Sequence, residues 1–203
     1  MTALKRLLDI LLALILSAVT LPVQALTYVL VIRNLGRPAM FRQVRMGRGG
    51  EPFDVFKFRS MRPQPEDAPA LSDDERVTAF GRVIRRFRLD ELPQVLLILS
   101  GKMSLVGPRP LFPTGHAPEN DYLFRLRHRV RPGMTGWAQV NGNTLLSERE
   151  KLALDVEYVF RATPAFDLRI LWLTVLTLLR GERRNEAAIR RALIHADRID
   201  RSG

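Results

Sequence analysis

The 203-residue chain contains no cysteine, which excludes a disulfide scaffold, thiolate catalysis and zinc or iron–sulfur sites built on cysteine. A reducing compartment fits this composition. Three histidines, at positions 116, 128 and 195, are too scattered to suggest a metal cage. No Walker loop, dinucleotide-binding glycine motif, zinc-protease helix or nucleophile elbow occurs, and no internal repeat is detectable. Negative charge is also scarce: 21 Asp and Glu stand against 32 Lys and Arg, a formal net charge of +11. That excess calls for a polyanionic partner, whether nucleic acid, anionic lipid headgroups or a phosphate-rich substrate. With 46% hydrophobic and 26% charged residues, the chain is too apolar for disorder and long enough for one compact domain.

The amino-terminal segment narrows the choice. From Leu7 to Ile32 the chain is almost wholly apolar, broken by Asp9, a few small polar residues and Pro22. Three readings compete. A cleaved signal peptide is suggested by Lys5-Arg6 and the small-residue triplet Val23-Gln24-Ala25, but opposed by Asp9 and by the apolar run past Ala25. A spanning helix fits the length, since 26 residues reach about 39 Å against roughly 30 Å of hydrocarbon. A helical hairpin that enters and leaves by one face fits Pro22, which lacks the N–H needed for the helical bond. Lys5 and Arg6 before the segment and Arg33, Arg37, Arg42 and Arg45 after it pull both ends toward the cytoplasm. Spacing alone leaves hairpin and span open.

Beyond Arg33 the pattern is that of a small α/β domain with long loops. Residues 41–46 and 53–58 flank Gly47, Gly49, Gly50 and Pro52, predicting a hairpin or paired strands with Lys57 at the end of the second. Arg62 to Glu75, with its prolines and acidic cluster, reads as a mobile loop. Phe80, Val83, Ile84 and Phe87 fall at helical spacing, leaving Arg82, Arg85 and Arg86 on other faces. Pro93 sets Asp90 and Glu91 at or just before a helix N-terminus, where free N–H groups favour carboxylates and phosphates. An Asp-Glu pair there is also what a simple helix cap looks like. Gly107-Pro108-Arg109-Pro110 holds one arginine in a stiff turn suited to bidentate phosphate binding. Arg125, Arg127, Arg129 and Arg131 form another basic cluster with His128. Ser147 and Glu150 predict a capping box, with Asp155 and Tyr158 on or near the polar side of the helix that follows. Asp167 is expected to cap the last strong helix, whose apolar 168–179 segment is too short to span and ends at Gly181.

Phe41-Arg42-Gln43 with Lys57-Phe58-Arg59-Ser60-Met61, Leu89-Asp90-Glu91-Leu92-Pro93-Gln94, Met103 to Pro110, and Arg131 to Gly142 together resemble the bacterial sugar transferases, the monotopic polyprenyl-phosphate phosphoglycosyl transferases. The similarity runs from Lys5 to the Asp167 helix. The resemblance implies a mixed α/β, mostly helical small globular domain (34–203). It also implies an N-terminal re-entrant helix-break-helix (1–33) kinked near Pro22, amphipathic interfacial helices, and the minimal catalytic form.

What the family does carries further expectations. The resemblance implies transfer of a sugar 1-phosphate from a UDP-sugar to undecaprenyl phosphate at the cytoplasmic face of the bacterial inner membrane, with release of UMP, initiating a surface glycan such as lipopolysaccharide or exopolysaccharide. Asp90 would be the nucleophile of a ping-pong reaction, Glu91 would orient or assist, and Mg²⁺ would bridge Asp90 and the diphosphate. Lys57, Arg85 and Arg109 would hold phosphates, and arginines near the membrane would meet anionic lipids. A homodimer is compatible with this reading, and nucleic acid is not expected. Asn143 and Thr144 stand where the family commonly has an arginine. The rival class is a non-catalytic basic protein bound to a membrane surface.

Overall fold

The computed structural model describes residues 2–64, 69–113 and 122–201. The chain opens with helix α1 (Ala3–Leu35), capped by the Thr2 side chain, which accepts from the Lys5 N–H. Strands β1 (Met40–Met46) and β2 (Pro52–Phe58) form an antiparallel ribbon in which Phe41 lies opposite Lys57. Then come α2 (Asp73–Arg76), α3 (Ala79–Arg86), a 3₁₀ segment (Leu89–Gln94) running into α4 (Val95–Leu99), and β3 (Ser104–Val106). Helix α5 (Tyr122–Arg127) is followed by β4 (Gly133–Thr135), α6 (Trp137–Val140), α7 (Glu148–Arg161), α8 (Pro164–Arg180) and α9 (Glu186–Asp200). The mixed, mostly helical α/β domain expected from the sequence is observed.

The main core gathers Ala13 of α1, Ile98, Met103, Leu126, Trp137, Leu154, Tyr158, Ile170 and Ala192. A smaller cluster of Val31, Ala39, Phe58 and Ile84 ties the far end of α1 to β2 and α3. Both ends of α1 therefore dock on the domain: Lys5, Asp9 and Ala13 at one end and Thr27 and Val31 at the other are buried, while none of residues 14–26 is. Leu14, Ile15, Val19, Leu21 and Leu26 are exposed, as are Leu168, Trp172, Val175 and Leu179 of α8. Among the described residues α1 is the one helix long and apolar enough to cross a membrane.

A buried polar network pins the start of α1. The Lys5 ammonium donates to Asp167 Oδ2 at 2.6 Å, and the Tyr158 hydroxyl lies 2.7 Å from Asp167 Oδ1. Asp9 accepts from the Ser104 hydroxyl at 2.8 Å and from the Leu105 N–H at 3.2 Å. Strands β3 and β4 pair in parallel. Their continuation is a backbone-to-backbone contact, with the Gly107 N–H donating to Thr135 and the Gly133 N–H to Pro108, both at 2.9 Å. A Cβ on Gly107, Gly133 or Gly136 would meet backbone at 2.4, 2.1 and 2.1 Å respectively, so hydrogen is all these positions accept.

Several expectations need correction. The two helices expected on either side of Pro22 are one continuous helix. Pro22 removes a single bond, and Ser17, Thr20 and Thr27 side chains bond back onto carbonyls four residues earlier around it. Within the loop expected over 62–75, residues 65–68 lie outside the described residues, and Asp73–Arg76 forms a helical turn because Glu75 accepts from both the N–H and hydroxyl of Ser72. Helix α8 is capped by Thr163, not Asp167. Asp155 and Tyr158 are buried, held by Arg127 and by the Asp167 network. Helix α9 follows the segment expected to be the last strong helix; its buried face is largely alanine, which gives a weak apolar signal.

Candidate active site

The acidic pair lies where the sequence put it, at the entry to a helix. Arg88 adopts the left-handed conformation (φ 56°), and the chain then tightens into the 3₁₀ turns that carry Asp90 and Glu91. Successive side chains diverge by about 120° in such turns, so the two carboxylates meet different surroundings.

Glu91 is buried and saturated with cations. Its Oε1 accepts from the Lys57 ammonium at 3.0 Å and from Arg109 at 2.8 Å, while Arg88 approaches Oε2 at 3.4 Å. Burial alone would raise its pKa, but Arg109, Lys57 and Arg88 outweigh that and hold the carboxyl far below the usual glutamate range. Asp90, 8% exposed, accepts no side-chain hydrogen bond from any described residue. Burial first and the Glu91 charge second push its pKa up, against the pull of Lys57 and Arg85. Two neighbouring carboxylates with pKa values driven apart are a recurring mark of functional sites.

Each predicted residue is thereby placed. Lys57, at the end of β2, and Arg109, in the turn after β3, touch Glu91 directly. Arg85 donates through Nε to the Ser60 hydroxyl at 2.8 Å and acts on Asp90 by charge without contacting it. Arg45, counted in the sequence among the charges that draw both ends of the apolar segment toward the cytoplasm, lies beside Arg109; burial, Arg109 and, in the opposite sense, Glu91 bring its pKa down to about 10. Its guanidinium stacks 3.4 Å from the Phe112 ring centre. Arg127 of the second basic cluster is a structural ion pair, 2.6 Å from Asp155.

A buried cation-rich wall around one open carboxylate suits phosphate chemistry, and the sequence profile of the bacterial sugar transferase family matches residues 1–181. The chain belongs to that family. Similar curated proteins include an uncharacterized sugar transferase, EpsL, of Bacillus subtilis, 43% identical over 180 residues that cover 88% of this chain and 89% of the relative. The UDP-glucose:undecaprenyl-phosphate glucose-1-phosphate transferase of Escherichia coli is 40% identical, over 85% of this chain but 39% of the relative. A UDP-N-acetylgalactosamine-undecaprenyl-phosphate N-acetylgalactosaminephosphotransferase of Aeromonas hydrophila is 39% identical, over 87% of this chain and 44% of the relative. The chain thus spans less than half the length of the latter two.

Two residues of the candidate site went unread in the sequence. Arg88 carries no motif signal beyond adjacency to the pair. Glu182, just past α8, accepts from Asn143, from the N–H and hydroxyl of Thr144, and from Arg88 at 3.3 Å. It fastens the loop that carries the departure from the family pattern to the arginine beside Glu91, from a position 94 residues away from Arg88.

Proposed function

We propose that this chain transfers a sugar 1-phosphate from a UDP-sugar to undecaprenyl phosphate in two displacements at one phosphorus. The observation that carries this reading is the contrast inside the pair: Glu91 is locked by three cations, and the Asp90 carboxylate beside them has no side-chain partner among the described residues. In the first step an Asp90 carboxylate oxygen attacks the sugar-bearing phosphorus. The bond to the uridylyl phosphate oxygen breaks, and UMP leaves with the electron pair. In the second step an oxygen of undecaprenyl phosphate attacks the same phosphorus, the bond to Asp90 breaks, and the carboxylate is restored with a polyprenyl diphosphate sugar as product. Separating the steps lets a soluble donor depart before a lipid acceptor arrives, which yields ping-pong kinetics.

Lys57 and Arg109, already fixed on Glu91, present donors at the wall where phosphate charge develops and need little reorganisation. Arg85 and Lys57 keep Asp90 from rising further toward its neutral form. Among the described residues no group of three or more His, Asp or Glu is placed to hold a metal. Mg²⁺ nonetheless fits here, because it commonly uses one or two carboxylates plus substrate phosphates, and no described side chain takes up the oxygens of Asp90 while those of Glu91 are occupied. When bound, it would neutralise charge on the donor diphosphate.

The apolar exposed middle of α1 and the exposed face of α8 support membrane association, and the docking of both ends of α1 on one domain supports a re-entrant, cytoplasmic-facing arrangement. Because the chain has no native cysteine, Thr2→Cys and Asn34→Cys report cleanly: both should label from the cytoplasmic side, and periplasmic labelling of position 2 overturns the arrangement with both ends of α1 on one face. The reaction is tested by mixing protein with UDP-sugars alone. UMP release with a matching mass gain of one sugar phosphate on Asp90 is expected; turnover with acceptor but no such adduct overturns the covalent route.

A further inference from the structure

A cleft of about 940 Å³ opens between α7 and α9, away from the acidic pair. Its floor and walls come from Phe160 and Glu157 of α7 and from one face of α9, where Arg190, Arg191, Ile194, His195 and Arg198 recur at helical spacing. The opposite face of α9 (Ala188, Ile189, Ala192, Ala196) is buried, so this cleft-facing row is presented by a helix that packing holds in place.

The charges in the cleft do not balance. Glu157 is consumed: Arg161 and Arg191 donate to its Oε1 at 2.7 and 2.9 Å, and the Trp137 indole N–H donates to its Oε2 at 2.9 Å. Glu186, at the mouth, pairs with Arg184. Arg190 and Arg198 have no ion-pair or hydrogen-bond partner among the described residues. His195 sets its ring edge against Phe160 at 5.3 Å, and its Nδ1 is buried without a hydrogen-bond partner. In the same cleft, Phe160 and Ile194 remain 54% and 49% exposed. Two unpaired arginines about 12 Å apart along a helix, with a ring and a branched aliphatic side chain lining the cleft as well, match an anion that carries an apolar body.

We propose that the α7–α9 cleft binds an organic phosphate, its phosphate against one of the two guanidinium groups, Arg190 or Arg198, and its apolar part against Phe160 and Ile194. The ligand is either a membrane phospholipid headgroup or a soluble phosphate ester, and the same chemistry serves both. Most of the cleft lies outside residues 1–181 that match the family. The proposal is independent of the transfer reaction, since none of these side chains touches Asp90 or Glu91.

The test follows amide hydrogen exchange across 186–200 in the full chain, with the β3–β4 pair (104–106 and 133–135) as an internal reference. Two probes separate the sources: phenyl phosphate added to protein in neutral micelles, and phosphatidylcholine vesicles with or without phosphatidylglycerol. Slowed exchange in α9 with either probe is expected, weakened about tenfold or more in apparent affinity in the Arg190→Gln/Arg198→Gln variant, because hydrogen bonds to charged groups are the strong ones. Protection by phenyl phosphate assigns a soluble ester, and protection only by phosphatidylglycerol assigns a headgroup. The double variant changes surface side chains, and its fold is checked by unchanged exchange in the β3–β4 pair. No protection by either probe, equal protection in the double variant, or protection that tracks protein concentration without a probe overturns the proposal, the last by showing a second copy in the cleft.

Discussion

Two buried carboxylate clusters in this molecule use the same ingredients and end differently. At the start of α1, both oxygens of Asp9 and both oxygens of Asp167 are met, by Ser104, Leu105, Tyr158 and Lys5. At the 3₁₀ turn, Glu91 is met three times over and Asp90 is not met by any side chain. A closed cluster holds elements together, whereas a cluster with one open carboxylate holds a place for a ligand. Burial and nearby cations alone do not separate structure from chemistry; the distribution of partners does.

Exchanging the treatment of the two clusters gives the largest expected effects. Asp90→Asn should cut UMP release by on the order of 10⁴-fold or more, as loss of a nucleophile does, while melting at an unchanged or higher temperature because a destabilising buried charge is gone. Asp167→Asn should do the reverse, costing about 3 kcal/mol of stability by leaving the buried Lys5 with only the more distant Asp9, at 3.9 Å, as counter-charge, measured by thermal unfolding in micelles. If Asp90→Asn unfolds the protein and Asp167→Asn does not, the distinction between the clusters fails.

Next in size is Glu182→Gln, which slackens Arg88 and the Asn143–Thr144 loop together. A fall of about tenfold in kcat/KM is expected from misplaced positioning groups, with a stability change below about 1 kcal/mol. A loss of stability without loss of turnover would make Glu182 part of the scaffold alone.

The pH dependence sharpens the comparison further. The Asp90 pKa lies above the ordinary 3.8, so the rate should fall, as pH drops, at a higher pH than an ordinary aspartate would give. Lys57→Gln removes a pull that lowers it and should move that limb upward. Glu91 has the opposite sign: its folded pKa is depressed, so it contributes stability that is present above the ordinary 4.5 and lost as pH falls toward the folded value. Glu91→Gln should flatten the loss of stability below about pH 4.5, read from melting temperature against pH.

Much of this site was legible because its residues lie in short motifs whose backbone demands are local. Pro93 after an acidic pair marks a helix entry, and Pro108 and Pro110 fix the Arg109 turn. The rest depended on tertiary placement. Asp155 and Tyr158 read as polar-face residues because their partners, Arg127 and Asp167, lie in other helices. Arg45 followed an apolar segment and so counted only toward its flanking charge, though the β1–β2 ribbon turns it toward Arg109. Glu182 has no local pattern at all; only the fold brings it to Arg88.

The glycine contact between the β3 and β4 connections sets a tolerance limit on the whole machine. With two peptide planes pressed together at Gly107 and Gly133 and a third at Gly136, even alanine would have to wedge the chain apart, and the guanidinium two residues downstream would swing with it. A saturation library should therefore show three all-or-nothing columns where no reactive group resides, marking a joint so tightly shut that the alignment of the Arg109 turn is set by the thickness of a backbone.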